Sequence, residues 1–333
     1  MTLTQLQEYL IKLGCKPQHC RRIYRAMLNR AAWPTIEDER YPLRLRRAVP
    51  HIKAEFEAQL RLIKRQDTSE AAKLLLALPD NQTIETVMLP RDGVCVSCQV
   101  GCAVGCVFCM TGKGGLIRQL DALEIIAQVA WARRINPKTK KVAFMGMGEP
   151  SHNLKNIMAA VTFLGEYGDF GHKNLVISTV GDPRVFDALD VSPVKPALAI
   201  SLHSAFDDKR RQLLPRAGKI DVKTLVEAAE RYARQTGYPI QYEWTLMDGI
   251  NDCDEELNRL IELLSGKYAM MNFIPVNAVV DSPYRRPAIE RCAAMARTLH
   301  QHHIVAKLRH SAAQEVQGGC GQLRARVLNA ENR

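Results

Sequence analysis

Cys102, Cys106 and Cys109 fall in the run Gly101-Cys-Ala-Val-Gly-Cys-Val-Phe-Cys109, a C-x3-C-x2-C spacing that offers three thiols from one short loop. Three thiolates can hold three irons of a [4Fe–4S] cluster, which ordinarily takes four cysteine ligands. The fourth iron is then open to something that is not protein. An open iron beside a source of electrons is a place to do chemistry, so the spacing points to an enzyme. Zinc is the rival ligand. Structural zinc wants four donors, usually as two separated pairs, and Cys95 or Cys98 could complete such a set. The x3–x2 loop spacing is atypical for a zinc knuckle, however. Unrelated buried cysteines are the third reading, and three within eight residues make it the weakest.

The elements around this loop say how it is held. Gly93–Gln99 reads as a strand running into the cysteines, and Lys73–Leu78 and Thr83–Leu89 flank the turn Pro79-Asp80-Asn81-Gln82 as a hairpin. After the loop, short apolar strands alternate with amphipathic helices. Strands are expected at Val142–Met145, Leu175–Ser178, Ala197–Leu202, Ile240–Leu246, Met271–Ile274 and Val305–Leu308. Helices are expected at Asp121–Arg134, with Asp121 as N-cap, and at Asp221–Thr236, Asp254–Leu264 and Ala288–His302. Such alternation implies βαβ units and a parallel sheet, and about six units predict an α/β fold with a partial (β/α)6 barrel. In the first 65 residues Leu3, Leu6, Leu10 and Ile11, then Ile23, Met27 and Leu28, follow a helical period, punctuated by Pro34, Pro42 and Pro50.

Length and charge bound the rest. A chain of 333 residues with 47% apolar residues supports one large domain and a small one. Residues 1–65 carry 14 Lys/Arg against 6 Asp/Glu, a net of +8 within a chain total of +11. That is the footprint of a polyanion-binding surface, RNA or DNA, or else a solvated helix face. No apolar run approaches a membrane span, and the N-terminus lacks a secretory pattern. Ten cysteines without a signal imply a reducing, cytoplasmic setting, where thiols are ligands or catalysts.

Further motifs sit at strand ends. Gly146-Met-Gly-Glu-Pro150 follows a strand at the carboxyl edge where α/β ligands bind; its glycines allow close backbone approach and Glu149 can accept from an ammonium. By itself such a run reads as a β-turn with an exposed carboxylate. Ser178, Ser201 and His203 are also at strand ends. Cys320 lies in Gly318-Gly-Cys-Gly-Gln-Leu323, where flanking glycines suit an exposed loop and its thiolate could act as a nucleophile. Glu85, alternating with Ile84 and Thr86, reads plainly as a solvent-facing charge on a hairpin strand. Cys98 is assigned no role, and Cys15, Cys20, Cys253 and Cys292 read as packing residues.

Taken in order, these runs resemble the radical S-adenosylmethionine (SAM) superfamily, and within it the RlmN/Cfr family of RNA adenine methyltransferases. The resemblance covers residues 84–323 through Ile84-Glu-Thr-Val87, Cys95-Val-Ser-Cys-Gln-Val-Gly-Cys102, Gly146-Met-Gly-Glu-Pro150, Ile177-Ser-Thr-Val-Gly181, Ile200-Ser-Leu-His203, Asn272-Phe-Ile-Pro-Val-Asn277 and Gly319-Cys-Gly-Gln-Leu323. It implies one cluster per chain on Cys102, Cys106 and Cys109. It implies SAM held by Gly148, Glu149, Ser178, Ser201, Leu202, His203 and Asn277, with two SAM molecules spent per turnover. Cys320 would carry the methyl group as S-methylcysteine, Cys95 would resolve the protein–RNA link through a transient disulfide with Cys320, and Glu85 would accept the ring proton. The expected substrate is an adenine carbon of rRNA or tRNA, C2 ahead of C8. A flavodoxin- or ferredoxin-like electron donor and a monomer are expected too.

The corresponding organisation is a basic helical RNA-binding domain over 1–70, a β-hairpin extension over 71–87, a radical SAM core over 88–315 and a C-terminal segment over 316–333 that carries Cys320. Three stretches depart from the commoner rRNA-modifying pattern: Met110-Thr-Gly-Lys-Gly-Gly115, which looks slightly more like Cfr, Ser178-Thr-Val-Gly181, and the approach His310–Gly319, which lacks the usual acidic run. The alternatives are a radical SAM enzyme acting on a non-RNA substrate, and an RNA-binding protein with a structural zinc site.

Overall fold

In the computed structural model, residues 1–69, 71–277 and 282–309 are described. Three helices open the chain, α1 (Leu3–Lys12), α2 (Pro17–Met27) and α3 (Leu43–Glu57). Thr2 and Gln5 close a reciprocal capping box on α1. Leu6, Leu10, Ile23, Met27, Leu45, Ile52 and Phe56 are buried on the inner faces of these helices, as the 3.6-residue period predicts. Pro50 does not punctuate the segment as expected; it lies inside α3. Arg61–Asp67 is not helical either. It forms β1, whose exposed Arg61, Lys64 and Arg65 suit a sheet edge that must not pair further.

The expected hairpin follows as β2 (Ala72–Ala77) and β3 (Thr83–Leu89), and it is continuous with the main sheet. The strand expected over Gly93–Gln99 breaks in two. β4 (Gly93–Cys95) joins the main sheet, whereas β5 (Gln99–Gly101) pairs with β6 (Leu116–Gln119) in a separate ribbon. The cysteine loop and the short helix α4 (Met110–Lys113) lie between β5 and β6. The break is held open by side chains: Gln128 accepts from Ser97 N–H (2.8 Å) and donates to Ser97 O (2.9 Å), while Asn153 donates to Cys98 O (2.8 Å). These bonds replace the ladder that the backbone there lacks.

The alternating half then runs α5 (Ala122–Ile135), β7 (Lys141–Phe144), α6 (Leu154–Tyr167), β8 (Leu175–Thr179), α7 (Pro183–Val191), β9 (Ala197–Ser201), α8 (Asp207–Leu213), α9 (Val222–Thr236), β10 (Ile240–Leu246), α10 (Asp254–Leu264), β11 (Ala269–Pro275), α11 (Ile289–Gln301) and β12 (Val305–Leu308). Among the described residues β4, β7, β8, β9, β10, β11 and β12 lie side by side and parallel, the arc expected of a partial barrel. No helix among these residues is long and apolar enough to cross a membrane.

The strand period of two gives the arc two different faces. Val142, Phe144, Ile177, Leu198, Ile200, Tyr242 and Trp244 point to one side and join a core shared with α5, α6 and the N-terminal helices. The other face carries the small residues Ala143, Val176, Ala197 and Ala199. One or two residues further along the same face come Met145, Ser178, Ser201, Glu243 and Thr245, which line a cavity.

Candidate active site

The cavity has a volume of ≈ 330 Å³ and opens at the carboxyl ends of the parallel strands. Cys102, Cys106 and Cys109 all line it. Their loop is pinned at its base where Cys102 N–H donates to Gly115 O (2.9 Å), and from α8 where Val107 N–H donates to Leu213 O (3.1 Å). Gly101 has φ +79°, and a Cβ there would lie 2.0 Å from Gly115 O, so only glycine lets the two ends of the loop meet. Burial pushes the Cys102 thiol up to about 11, and burial with its neighbours Cys109 and Cys102 pushes Cys106 up further.

Opposite the loop, Gly148 has φ +107° and a Cβ would sit 2.7 Å from both Cys98 Sγ and Gln99 Cβ. The close approach the glycines permit is therefore first to the segment after β4, and Cys98 is its packing partner. Glu149 is buried. Its Oε1 accepts from Ser151 N–H (3.0 Å) and the Thr179 hydroxyl, and its Oε2 accepts from Val180 N–H (3.1 Å). Burial raises the carboxyl and these donors pull it back. Oε2 takes a single donor among these, and Glu149 lines the cavity.

His203 is held in the left-handed region (φ 61°), edge-on to Phe108 with ring centroids 4.8 Å apart. Its Nδ1 accepts from Thr245 N–H (2.9 Å), which leaves the ring proton on Nε2. Burial, then the nearby Arg210 guanidinium, push its pKa down to about 3. Arg210 donates to Val180 O, Ser201 O and Leu202 O and so ties the ends of β8 and β9 together. On the far wall Glu243 accepts from Asn272 Nδ2 (2.8 Å), whose Oδ1 accepts from Arg309 Nε (2.8 Å). Burial raises the Glu243 carboxyl.

A profile of the radical SAM superfamily matches residues 96–261. The chain is 53% identical to a protein of Azoarcus sp. (strain BH72) named "Probable RNA methyltransferase", covering all of this chain and 97% of that one. It is 54% identical to another of that name from Methylibium petroleiphilum, covering 98% and 94%. The chain belongs to the radical SAM superfamily. A solved radical SAM methyltransferase from Sphaerobacter thermophilus superposes with a TM-score of 0.84 at 34% identity, covering 97% of each chain. The α/β barrel expectation is met by this match, and the protein is a SAM-dependent radical methyltransferase.

The donor set fits the cluster that radical SAM enzymes hold. Among the described residues no three His, Cys, Asp or Glu side chains converge on a single ion. Thiolates sharing one zinc would stand about 3.8 Å apart, from Zn–S bonds of about 2.3 Å in a tetrahedron. A cubane gives each thiolate its own iron, and the three cysteines that line one cavity supply donors for three of them.

Of the residues expected to serve this radical SAM site, Gly148, Glu149, Ser178, Ser201, His203 and Asn277 line the cavity together with the three cysteines. Leu202 is fully buried and is not on the cavity wall; its N–H donates to Glu243 O (3.0 Å). Cys320 lies outside the described residues. Cys95 and Glu85 do not line the cavity but sit on the same sheet face, Cys95 opposite Ala143 and Val87. The solvent-facing reading of Glu85 is corrected: it is 2% exposed and its Oε2 is 3.3 Å from Lys73 Nζ, itself 1% exposed. The hairpin is an integral part of the sheet, so its inward face is covered. Cys253, expected to pack, is exposed, while Cys292 is buried and Cys15 and Cys20 are half-buried.

Sequence reasoning missed Thr179, Arg210, Glu243 and Lys73. Lys73 and Glu243 did leave a signal, as lone charges inside otherwise uncharged strand runs.

Proposed function

We propose that this enzyme methylates a carbon of adenine in RNA, at C2 ahead of C8, in rRNA or tRNA. The observation that carries the reading is the placement of a second thiol, Cys95, beside the buried carboxylate Glu85 on the inner sheet face whose upper rows line the three-cysteine cavity. Relatives of almost the same length that are named RNA methyltransferases support it.

When bound, the cluster supplies an open iron and an electron for the reductive cleavage of SAM. Cys102, Cys106 and Cys109 would hold it. Glu149 offers its remaining Oε2 lone pair to the amino group of SAM, and His203 presents a neutral Nε2–H donor. Ser178, Ser201 and Asn277 orient the same molecule from the cavity wall. Cys320 carries the methyl group from one SAM, and a second SAM activates it. Glu85 takes the proton that leaves the ring, and the adduct gives up its unpaired electron to the redox partner. The Cys95 thiolate then attacks the Cys320 sulfur and displaces the carbon, which takes up a proton, and a disulfide forms. An external reductant returns both thiols, and a flavodoxin- or ferredoxin-like protein supplies electrons to the cluster. The enzyme works as a cytoplasmic monomer.

The N-terminal helices serve as the RNA grip. Lys12, Lys16, Arg21, Arg44, Arg47 and Lys53 are exposed there, and phosphate contacts position a nucleic acid while base contacts specify it. Mass spectrometry of rRNA and tRNA nucleosides from a strain lacking the gene tests the whole reading. Loss of 2-methyladenosine is expected. Loss of 8-methyladenosine instead would move the methylated position, and an unchanged nucleoside profile would sink the RNA substrate.

A further inference from the structure

The Lys73–Glu85 pair is enclosed in the sheet, at 3.3 Å with side chains 1% and 2% exposed. Removing two charges from water costs several kcal/mol per ion, and apolar residues of similar volume would serve stability as well or better. The reason for the pair is better sought in what it faces.

Strand register supplies that neighbour. Lys73 on β2 stands opposite Val87 on β3, and Val87 stands opposite Cys95 on β4, so the three form one row across the inner face. Glu85 is two residues before Val87 and shares that face. Two strand spacings put the Cα atoms of Lys73 and Cys95 about 10 Å apart, a gap that the four-carbon lysine stem largely bridges. The Met145 backbone N–H also reaches the thiol.

We propose that Lys73 is a positioning residue for Cys95: its ammonium, anchored by Glu85, is the positive charge that makes a Cys95 thiolate attainable inside the sheet. The proposal rests on the reading of Cys95 as the resolving thiolate. Burial raises this thiol to about 12, while Lys73 pulls it down and Glu85 pushes it up. Cys98 is the other titratable group that couples to it. The opposite signs order the events. While Glu85 is a carboxylate it offsets Lys73. Once Glu85 has taken the ring proton it no longer offsets the ammonium; the thiol proton can leave to solvent, and the trio keeps its net charge. The nucleophile is thereby favoured after the proton transfer rather than before it.

The test needs neither RNA nor SAM. The full chain holding its cluster is labelled with iodoacetamide at pH 8, and the rate at Cys95 is read by peptide mass spectrometry, with exposed Cys253 as internal standard. Lys73→Met should slow labelling of Cys95 about ten-fold and Glu85→Gln, which mimics the protonated carboxyl, should speed it about ten-fold, one pKa unit for each charge lost. Lys73→Arg should restore the wild-type rate. The double variant Lys73→Met/Glu85→Gln removes both charges and should fall between the two singles. If Lys73→Met does not fold, the comparison of Glu85→Gln with the double variant carries the same expected ten-fold loss. Singles that shift the rate in the same direction, or a rate in Lys73→Met or in the double that ignores the lysine, would overturn the proposal. Normal labelling shifts without any RNA methylation would count against the proposed reaction alone.

Discussion

Thr245 donates its backbone N–H to Nδ1 of His203 across 2.9 Å, and this bond decides which ring nitrogen faces the cavity. With Nδ1 committed as acceptor, a proton added to the ring would turn the bond repulsive, in a pocket already under the field of Arg210.

The sign of the resulting pH effect follows. The folded-state pKa of about 3 lies below the ordinary 6.5. Between those values the unfolded chain binds a proton that the folded chain refuses, so stability falls as pH falls, by about 1.4 kcal/mol per unit for this group. Above pH 6.5 the effect vanishes. His203→Gln should remove this part of the acid sensitivity. Urea unfolding between pH 4 and 7.5 checks it, and an unaltered slope in the variant would rule out the buried neutral histidine.

Glu149 has one observed duty, in the hydrogen-bonded wall, and one proposed, toward SAM, and the two are separable. Glu149→Ala strands the donors Ser151 N–H, Thr179 Oγ1–H and Val180 N–H, at about 1–3 kcal/mol for each buried group. Glu149→Gln keeps an acceptor and should cost far less stability. Both should weaken SAM binding about ten-fold or more, since a charged hydrogen bond is worth about 1.5–3 kcal/mol. Equilibrium dialysis with SAM decides it: wild-type affinity in Glu149→Gln would remove Glu149 from the cofactor site.

Gly148 is a packing site besides its proposed part in binding SAM. Gly148→Ala puts a methyl 2.7 Å from Cys98 Sγ and Gln99 Cβ at φ +107°. Strain and overpacking together should destabilise by about 3 kcal/mol. A melting temperature within one or two degrees of wild type would show that the β4–β5 break is more pliable than its hydrogen bonds suggest.

Electrostatics in the N-terminal helices should show in salt dependence. Arg44 and Arg47 are exposed on α3. If both meet phosphates, Arg44→Gln/Arg47→Gln should weaken RNA binding and lower the slope of log affinity against log salt by about 1–2. A slope equal to wild type would move the RNA path elsewhere.

The sequence made the alternating half legible because its period is strong and its caps are explicit; Asp121 and Glu124 close the box that starts α5. It concealed what depends on distant partners. The break after Cys95 exists because Gln128, thirty-one residues on from Ser97, satisfies that residue's backbone. Strand alternation set Glu85 apart from Ile84 and Thr86, but only the register across β2, β3 and β4 puts Lys73 and Glu85 on the face of Cys95, and only the continuous sheet buries that face. The motif residues of the cavity were readable by type and order. Glu149 appeared as an open acceptor, and only the fold shows it mostly occupied by Thr179, Ser151 and Val180.

Cys95 offers the sharpest separation of chemistry from architecture. It is 8% exposed and stands opposite Val87 and Ala143, so Cys95→Ala removes one sulfur from an interior face and should cost about 1–2 kcal/mol of stability. Its effect on the proposed reaction is of another order. Methyl transfer to the base would proceed as far as the carbon–sulfur link and stop, because no thiolate remains to displace it. A covalent RNA–protein species should accumulate and be visible as a shifted band that ribonuclease trims. Cys320→Ala removes the proposed methyl carrier and should form no such band while still consuming SAM. Released methylated RNA from Cys95→Ala at the wild-type rate would eliminate the disulfide step, and the buried Lys73–Glu85 pair would then need another purpose.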